Sequence, residues 1–146
     1  MNRRHLIQHA VLAAAATFLV AAHAQTTSVS AAKRHKLILQ VSDNDPAKWN
    51  LALNNAKNVQ QDVGAANVDI EIVAYGPGIG MLKFDSAVTS RITEASKSGI
   101  KVVACENTMH AQKLAKSDMN PNIDFVPAGV SELMTKQAEG WSYVRP

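Results

Sequence analysis

Short apolar runs alternate with amphipathic segments along most of this chain, and this alternation restricts the fold more than any other feature of the sequence. Each apolar run is followed by a turn signal, which is typical of buried strands, and the segments between the runs repeat apolar residues at helical spacing. The predicted strands cover residues 37–41, 68–75, 100–104 and 123–126, and the alternating stretch 141–144 is a candidate for a final strand or edge segment. Because strands that alternate with helices form parallel sheets, the sequence predicts a three-layer α/β sandwich with a mostly parallel central sheet.

Helix boundaries are marked by capping residues. Asp45 can cap the first helix, Pro46 suits its first position, and Gly64 can end it. The second helix is predicted to end at Gly99. A short helix over residues 108–115 and a last one over 130–138 complete the pattern.

The first residues have the layout of a cleavable secretory signal. Arg3 and Arg4 precede an apolar run over residues 11–22, and Ala22-His23-Ala24 is a small-x-small cleavage site. The run is shorter than the ~20 apolar residues that cross a bilayer. We therefore expect a periplasmic or secreted protein, and we predict a signal peptide at 1–24, a flexible spacer at 25–35 and one α/β domain at 36–146.

Charge and composition exclude several function classes. The net charge of +3 falls when Arg3 and Arg4 leave with the signal, so neither nucleic acid nor a membrane surface is an expected partner. The chain has 1 Cys, and the histidines that remain, His35 and His110, are not spaced as ligand pairs of a zinc site. We expect no metal and no cofactor. A flavin-dependent redox enzyme is a further alternative, and a colourless purified protein would count against it.

The candidate site lies where the carboxyl ends of the strands meet. In open α/β sheets ligands bind at this edge, which the loops 42–46, 76–80 and 105–108 share. Cys105 ends the third strand just before a helix that Asn107 or Thr108 can cap. Unpaired N–H groups at a helix start favour thiolate, so Cys105 is the candidate nucleophile.

Other interpretations of these residues are also open. Cys105 could be a small buried hydrophobic residue, or it could pair with His110 as in cysteine hydrolases. The loop Gly76-Pro77-Gly78-Ile79-Gly80 lacks the spacing of a dinucleotide or Walker loop. A close approach of its backbone to the site is the better interpretation, and the loop could still bind a small anion.

Four stretches in this order resemble the exported branch of the DsrE/DsrF-like proteins, which share the YchN-like fold. They are SDNDPAKWNLALNNAKN, AYGPGIGML, VVACENTM and VPAGVSELMTKQAEGWSYVRP. The resemblance implies a Rossmann-like sandwich, assembly as a homo-oligomer (a trimer or hexamer), and a cysteine that carries sulfur as a persulfide. By its place after the third strand, that cysteine is Cys105. The pocket residues predicted around it are Asp43, Asn44, Gly76, Pro77 and Gly78, in the loops that the resemblance implies, and Asn107 and Thr108 from the loop after the third strand.

The resemblance predicts a function for this thiol. We expect a periplasmic sulfur carrier or thiol-handling protein, with a sulfur donor or acceptor protein as partner and no cofactor. The sulfur acceptors of the cytoplasmic family members do not carry over to an exported chain. The alternative is a non-catalytic module of the same fold that binds a small ligand or a protein, with Cys105 in a structural role.

Overall fold

The computed structural model describes residues 34–146. The predicted signal peptide and most of the predicted spacer lie outside the described residues. In the described part the strands are β1 (His35–Val41), β2 (Val68–Ala74), β3 (Lys101–Cys105), β4 (Asp124–Val126) and β5 (Ser142–Val144). The α-helices are α1 (Pro46–Val63), α2 (Thr89–Lys97), α3 (Glu106–Ala111) and α4 (Gly129–Ala138). Short 3₁₀ helices cover Ala65–Asn67, Gly76–Leu82 and Lys116–Asp118.

The strands form one sheet in the order β4-β3-β2-β1-β5, and every pairing is parallel. This confirms the predicted α/β class and the predicted edge strand at the end of the chain. The register brings the carboxyl ends of β1, β2, β3 and β4 to one edge, where Val41 pairs with Ala74, Ala74 with Ala104, and Cys105 with Val126.

Local signals account for the helix boundaries. Asp45 caps α1 by accepting a hydrogen bond of 2.8 Å from the N–H of Ala47, and Pro46 is the first helical residue. Gly64 ends α1 with φ 86°, a conformation that favours glycine. β1 begins at His35, two residues before the predicted start of the first strand, which is within the usual uncertainty of an element boundary.

The two faces of the sheet bury cores of different size. Alternate strand residues such as Leu39, Ile72 and Val102 face the larger cluster, which also contains Trp49 of α1 and Ile92 of α2. The smaller cluster consists of Ile38, Val73, Val103, Val126 and Leu133. Leu133 is the one helical residue in it among those described, so α4 covers this face.

Within residues 34–146, no helix combines the length and the apolar character that a membrane span requires.

Candidate functional site

Cys105 ends β3 and is itself the N-cap residue of α3, with extended backbone angles of φ −76° and ψ 113°. The expectation that Asn107 or Thr108 caps this helix is wrong, because the strand passes directly into the helix with no loop between them. Asn107 and Thr108 therefore lie in the first turn. The thiol is a free thiol and only 5% of the Cys105 surface is exposed.

Four polar groups near the sulfur atom of Cys105 lower the pKa of its thiol. They are the Thr108 hydroxyl and the backbone N–H groups of Gly129, Thr108 and Asn107, and the last of these also donates to the carbonyl of Pro127 over 3.1 Å. Burial is the largest single influence on this thiol and raises its pKa, but the four groups together outweigh it, so the pKa of Cys105 lies below its ordinary value. Donors stabilise the thiolate because they replace the water that burial removes. These groups favour the thiolate form of Cys105 more than burial alone would allow.

Thr108 connects the thiol to the glycine-containing loop. Its hydroxyl oxygen accepts a hydrogen bond of 2.9 Å from the N–H of Gly76, which leaves the hydroxyl hydrogen free to point at the Cys105 sulfur. Gln112 of the segment after α3 donates to the carbonyl of Gly76 over 3.2 Å. Gly76, Thr108 and Cys105 thus lie together at this edge of the sheet.

The close backbone approach predicted for this loop occurs at Gly78. A Cβ atom at this position would lie 2.4 Å from the carbonyl oxygen of Val41 and 2.9 Å from the Cα of Ser42. The loop therefore rests directly on the end of β1. Pro77 is exposed beside it.

The predicted rim residues Asp43 and Asn44 follow the carboxyl end of β1. The Asp43 carboxylate pairs with Lys48 at 3.0 Å and with Arg145 at 3.3 Å, and its hydrogen bonds to these two cations lower its pKa. Asn44 is exposed. In the part of the chain that the structure describes, no hydrogen bond or ion pair joins either residue to Cys105.

Sequence reasoning missed two residues at the site, Gly129 and Tyr75. Gly129 begins α4, and a Cβ atom there would lie 3.0 Å from the Tyr75 Cβ and 3.3 Å from the Cys105 Cβ. Tyr75, which follows β2, forms a wall beside the thiol, and desolvation of its ring raises the pKa of its hydroxyl. The signal that could have indicated Gly129 was its place in the segment after the fourth predicted strand. The carboxyl end of that strand lies at the same sheet edge as the carboxyl ends of the other three predicted strands.

His110 is exposed near the end of α3 and is not among the groups that hydrogen-bond to Cys105. The Cys–His pair of a hydrolase is therefore not formed. Over residues 34–146, no group of three or more His, Cys, Asp or Glu side chains is arranged to hold a metal ion.

A cavity of about 410 Å³ lies between α1 and α2. Leu53, Arg91 and Ile100 are among the residues that line it. Ile100 precedes β3, so this cavity is at the amino ends of the strands, opposite Cys105. We place the candidate site at the thiol rather than at the cavity, because none of the predicted site residues lines the cavity.

The donor from Thr108 can be removed without a large change in shape. Thr108→Val is expected to raise the pH midpoint of Cys105 alkylation by about one unit, since a hydrogen bond to a charged group contributes roughly 1.5 kcal/mol or more. Thiolate is the reactive form, so at neutral pH the variant should react more slowly than the wild type. The measurement is the rate of reaction with iodoacetamide as a function of pH.

The matched control for this experiment is Thr135→Val, which changes an exposed threonine on α4. Its midpoint should equal that of the wild type. A wild-type midpoint in Thr108→Val would show that the hydroxyl does not stabilise the thiolate.

The sequence is similar to that of a known protein family. The sequence profile of the DsrE/DsrF-like family matches residues 15–146. No curated protein matches the chain in sequence.

Three solved structures are similar to this one. The protein of unknown function MTH1491 from Methanobacterium thermoautotrophicum is 30% identical, with a TM-score of 0.73 over 77% of this chain and 99% of its own. The conserved protein of unknown function BT1422 from Bacteroides thetaiotaomicron is 20% identical, with a TM-score of 0.62 over 76% of this chain and 94% of its own. The ychN protein from E. coli is 8% identical, with a TM-score of 0.62 over 77% of this chain and 99% of its own. The last two show a shared fold, and the sandwich is therefore of the YchN type.

Proposed function

Because the chain belongs to the DsrE/DsrF-like family, we propose that it is a periplasmic sulfur carrier in which Cys105 accepts sulfane sulfur and passes it on. The family is associated with sulfur relay in general. The observation that supports a role for this particular thiol is the set of four polar groups near its sulfur, which lowers the pKa of Cys105 despite its burial.

Both steps of the transfer use the thiolate. In the first, the Cys105 thiolate attacks the outer sulfur of a donor persulfide; the bond between the two donor sulfurs breaks, and the donor leaves as its own thiolate. In the second, the thiolate of an acceptor attacks the outer sulfur of the Cys105 persulfide, and Cys105 leaves as thiolate. No electrons are gained or lost overall, so no oxidant or cofactor is needed.

A lowered pKa assists both steps in different ways. It raises the fraction of Cys105 present as thiolate at neutral pH, although each thiolate is then a weaker nucleophile. It also makes Cys105 a better leaving group when the acceptor attacks. The same polar groups of Thr108, Asn107 and Gly129 thus suit a residue that must both take up and release sulfur.

The test uses protein recovered from the periplasm of expressing cells and then treated with a sulfane-sulfur donor. Its mass is measured under native conditions, which gives the oligomeric state, and under denaturing conditions, which gives the mass of one chain. We expect a chain that starts at Gln25, assembled as a trimer or hexamer, which gains the mass of one sulfur atom per chain. Dithiothreitol should remove that mass. A protein that never gains sulfur would contradict the carrier function, and a retained N-terminus would contradict export.

The burial of Cys105 supports a second candidate function. With 5% of its surface exposed, the residue could serve only to pack the end of β3 in a module that binds a small ligand or a protein. This candidate predicts that Cys105 resists iodoacetamide in the native oligomer and reacts only after unfolding in urea. Modification of the native protein at a rate near that of the unfolded chain would rule it out.

A further inference from the structure

Glu106 is the residue directly after Cys105 and the first residue of α3. Its carboxylate forms an ion pair with Lys116, in which Oε1 and Nζ are 3.0 Å apart. The same Nζ atom lies 4.5 Å from the centre of the Phe125 ring on β4, a distance at which a cation is attracted to an aromatic face. Two contacts therefore fix the ammonium group of Lys116, although 63% of its side chain is exposed.

These contacts place the Glu106 carboxylate toward the face of the sheet that carries the larger core. Phe125 packs against the larger cluster, and Lys116 contacts both its ring and the carboxylate. The Glu106 side chain is 30% exposed, so most of it rests against the protein. Among residues 34–146, Lys116 is the one ion-pair partner of this carboxylate.

The sulfur of Cys105 lies toward the opposite face of the sheet. Alternate residues of a strand share a face, and Val103, two residues before Cys105, belongs to the smaller cluster. In agreement with this, the Cys105 Cβ is 3.3 Å from the position that a Cβ atom on Gly129 of α4 would take. The thiol and the Glu106 carboxylate are thus neighbours in the chain that lie toward different faces.

Loss of the ion pair would free the Glu106 carboxylate to approach the sulfur. The Cα atoms of consecutive residues are about 3.8 Å apart, and a glutamate side chain can span that distance by rotation about its bonds. A carboxylate close to the sulfur repels the thiolate and raises the pKa of the thiol, and it also repels anionic reagents. The position of this carboxylate therefore affects both the charge and the reactivity of Cys105.

The other ionisable groups on the elements around Cys105 have different surroundings. Glu132 of α4 pairs with Lys136 at 3.7 Å, and Asp118, after α3, accepts a backbone hydrogen bond of 2.8 Å. None of these groups is adjacent to Cys105 in the chain, as Glu106 is. The remaining ones are the hydroxyl of Tyr75 and the exposed side chains of His110, Lys113 and Asp124.

We propose that Lys116 is a positioning residue for Cys105: its ion pair holds the Glu106 carboxylate toward the larger core and away from the sulfur, so that the thiolate forms at a lower pH than it would beside a free carboxylate. Lys116 acts through Glu106 and takes no chemical part in the reaction of the thiol. The proposal rests on the proposed function only in taking Cys105 as the working thiol.

The test compares the pH midpoint of Cys105 alkylation by iodoacetamide in the wild type and in Lys116→Met. Methionine keeps a long side chain that can pack on Phe125, but it has no charge to hold Glu106. We expect the midpoint to rise by about half a pKa unit, which corresponds to roughly threefold less thiolate well below the midpoint. Lys116→Arg keeps the ion pair and should have the wild-type midpoint. A purely structural role for Lys116 would change the melting temperature and leave the midpoint where it was.

The double variant Glu106→Gln with Lys116→Met shows whether the lysine acts through Glu106. Its midpoint should equal that of Glu106→Gln alone, because no carboxylate is left for the lysine to hold. Lys113→Met removes a positive charge from an exposed lysine three residues before Lys116, and its midpoint should match the wild type. A wild-type midpoint in Lys116→Met would overturn the proposal, and so would an equal rise with and without Glu106.

A second measurement reports where the carboxylate lies. Iodoacetate is anionic and iodoacetamide is neutral, but both react with the same thiolate, so the ratio of their rates does not depend on the thiolate fraction. A carboxylate beside the sulfur should lower the ratio of the iodoacetate rate to the iodoacetamide rate by roughly threefold in Lys116→Met and not in the double variant. An unchanged ratio in Lys116→Met would contradict the movement of Glu106.

Neither measurement needs a sulfur donor. Unchanged midpoints and ratios would therefore reject the positioning role without bearing on sulfur uptake, and a protein that fails to take up sulfur could still show the expected changes.

Discussion

Cys105→Ser is expected to abolish sulfur uptake completely. A serine hydroxyl is almost fully protonated at neutral pH and cannot hold an outer sulfur atom as a persulfide. The chain has 1 Cys, so no second thiol is present to replace Cys105. The measurement is the intact mass after treatment with a sulfane-sulfur donor: the wild type should gain one sulfur atom and the variant none.

The substitution should leave the fold intact, which makes the loss of uptake interpretable. Serine is slightly smaller than cysteine, and its oxygen can accept a hydrogen bond from the N–H of Gly129, which lies near the sulfur. Circular dichroism and thermal unfolding of the variant provide the control. Sulfur gained equally by Cys105→Ser would place the accepting atom elsewhere and would end the proposal for this thiol.

Thr108→Val distinguishes the loss of the thiol itself from a change in its protonation. That variant keeps the thiol but loses one donor to it, so it should still gain one sulfur atom, only more slowly at neutral pH. If both Cys105→Ser and Thr108→Val lost uptake fully, the hydroxyl of Thr108 would have a role beyond stabilising the thiolate.

The fold could be predicted from the sequence because its signals are local. The apolar run that forms β1, the cap at Asp45 and the glycine at position 64 each act over a few residues, and each is found as predicted. The strand order β4-β3-β2-β1-β5 could not be predicted in the same way. It depends on which strands come to pair across long stretches of chain, and local periodicity contains no information on that.

The site was only partly predictable for a related reason. Cys105 was found because it follows a strand and precedes a helix, and the topology alone places such a residue at the working edge. Gly129 was missed because its contribution is a backbone N–H, which has no side-chain signature. The ion pair between the Asp43 carboxylate and Arg145 could not be predicted either, because Arg145 comes more than a hundred residues later in the chain.

The burial of Glu71, on the other face of the sheet, could not be predicted from the sequence either. In the sequence it alternates with apolar residues, as an outward-facing residue of a half-buried strand does. In the structure α4 covers it, and it is 1% exposed. The pattern of one strand cannot show which helix will lie over its second face.

Gly78→Ala is expected to lower the stability more than alanine at any other glycine of residues 34–146. The new Cβ would lie 2.4 Å from the carbonyl oxygen of Val41 and 2.7 Å from its carbonyl carbon, and both of these are backbone atoms of β1. Neither can move without disturbing the hydrogen bond of 3.1 Å that the Val41 carbonyl accepts from the N–H of Tyr75. We expect a loss of about 3 kcal/mol or more, at the upper end of what overpacking costs.

Gly76→Ala in the same loop is the matched control. Gly76 has φ +53°, so alanine there adopts a left-handed conformation, but its Cβ would meet no atom within 4 Å. The cost of that conformation is roughly 1–2 kcal/mol. Urea unfolding of the two variants and the wild type should therefore give Gly78→Ala a free energy of unfolding well below that of Gly76→Ala.

The two variants also show whether a loss of stability is accompanied by a change in the pKa of the Cys105 thiol. Gly78 lies two residues from Gly76, whose N–H is hydrogen-bonded to the Thr108 hydroxyl over 2.9 Å. A loop pushed away from β1 would strain that bond, so Gly78→Ala should raise the alkylation midpoint of Cys105 as well as lower the free energy of unfolding. If Gly78→Ala were as stable as Gly76→Ala, the loop would have room to shift, and its close contact with β1 would not be what holds Thr108 on the sulfur.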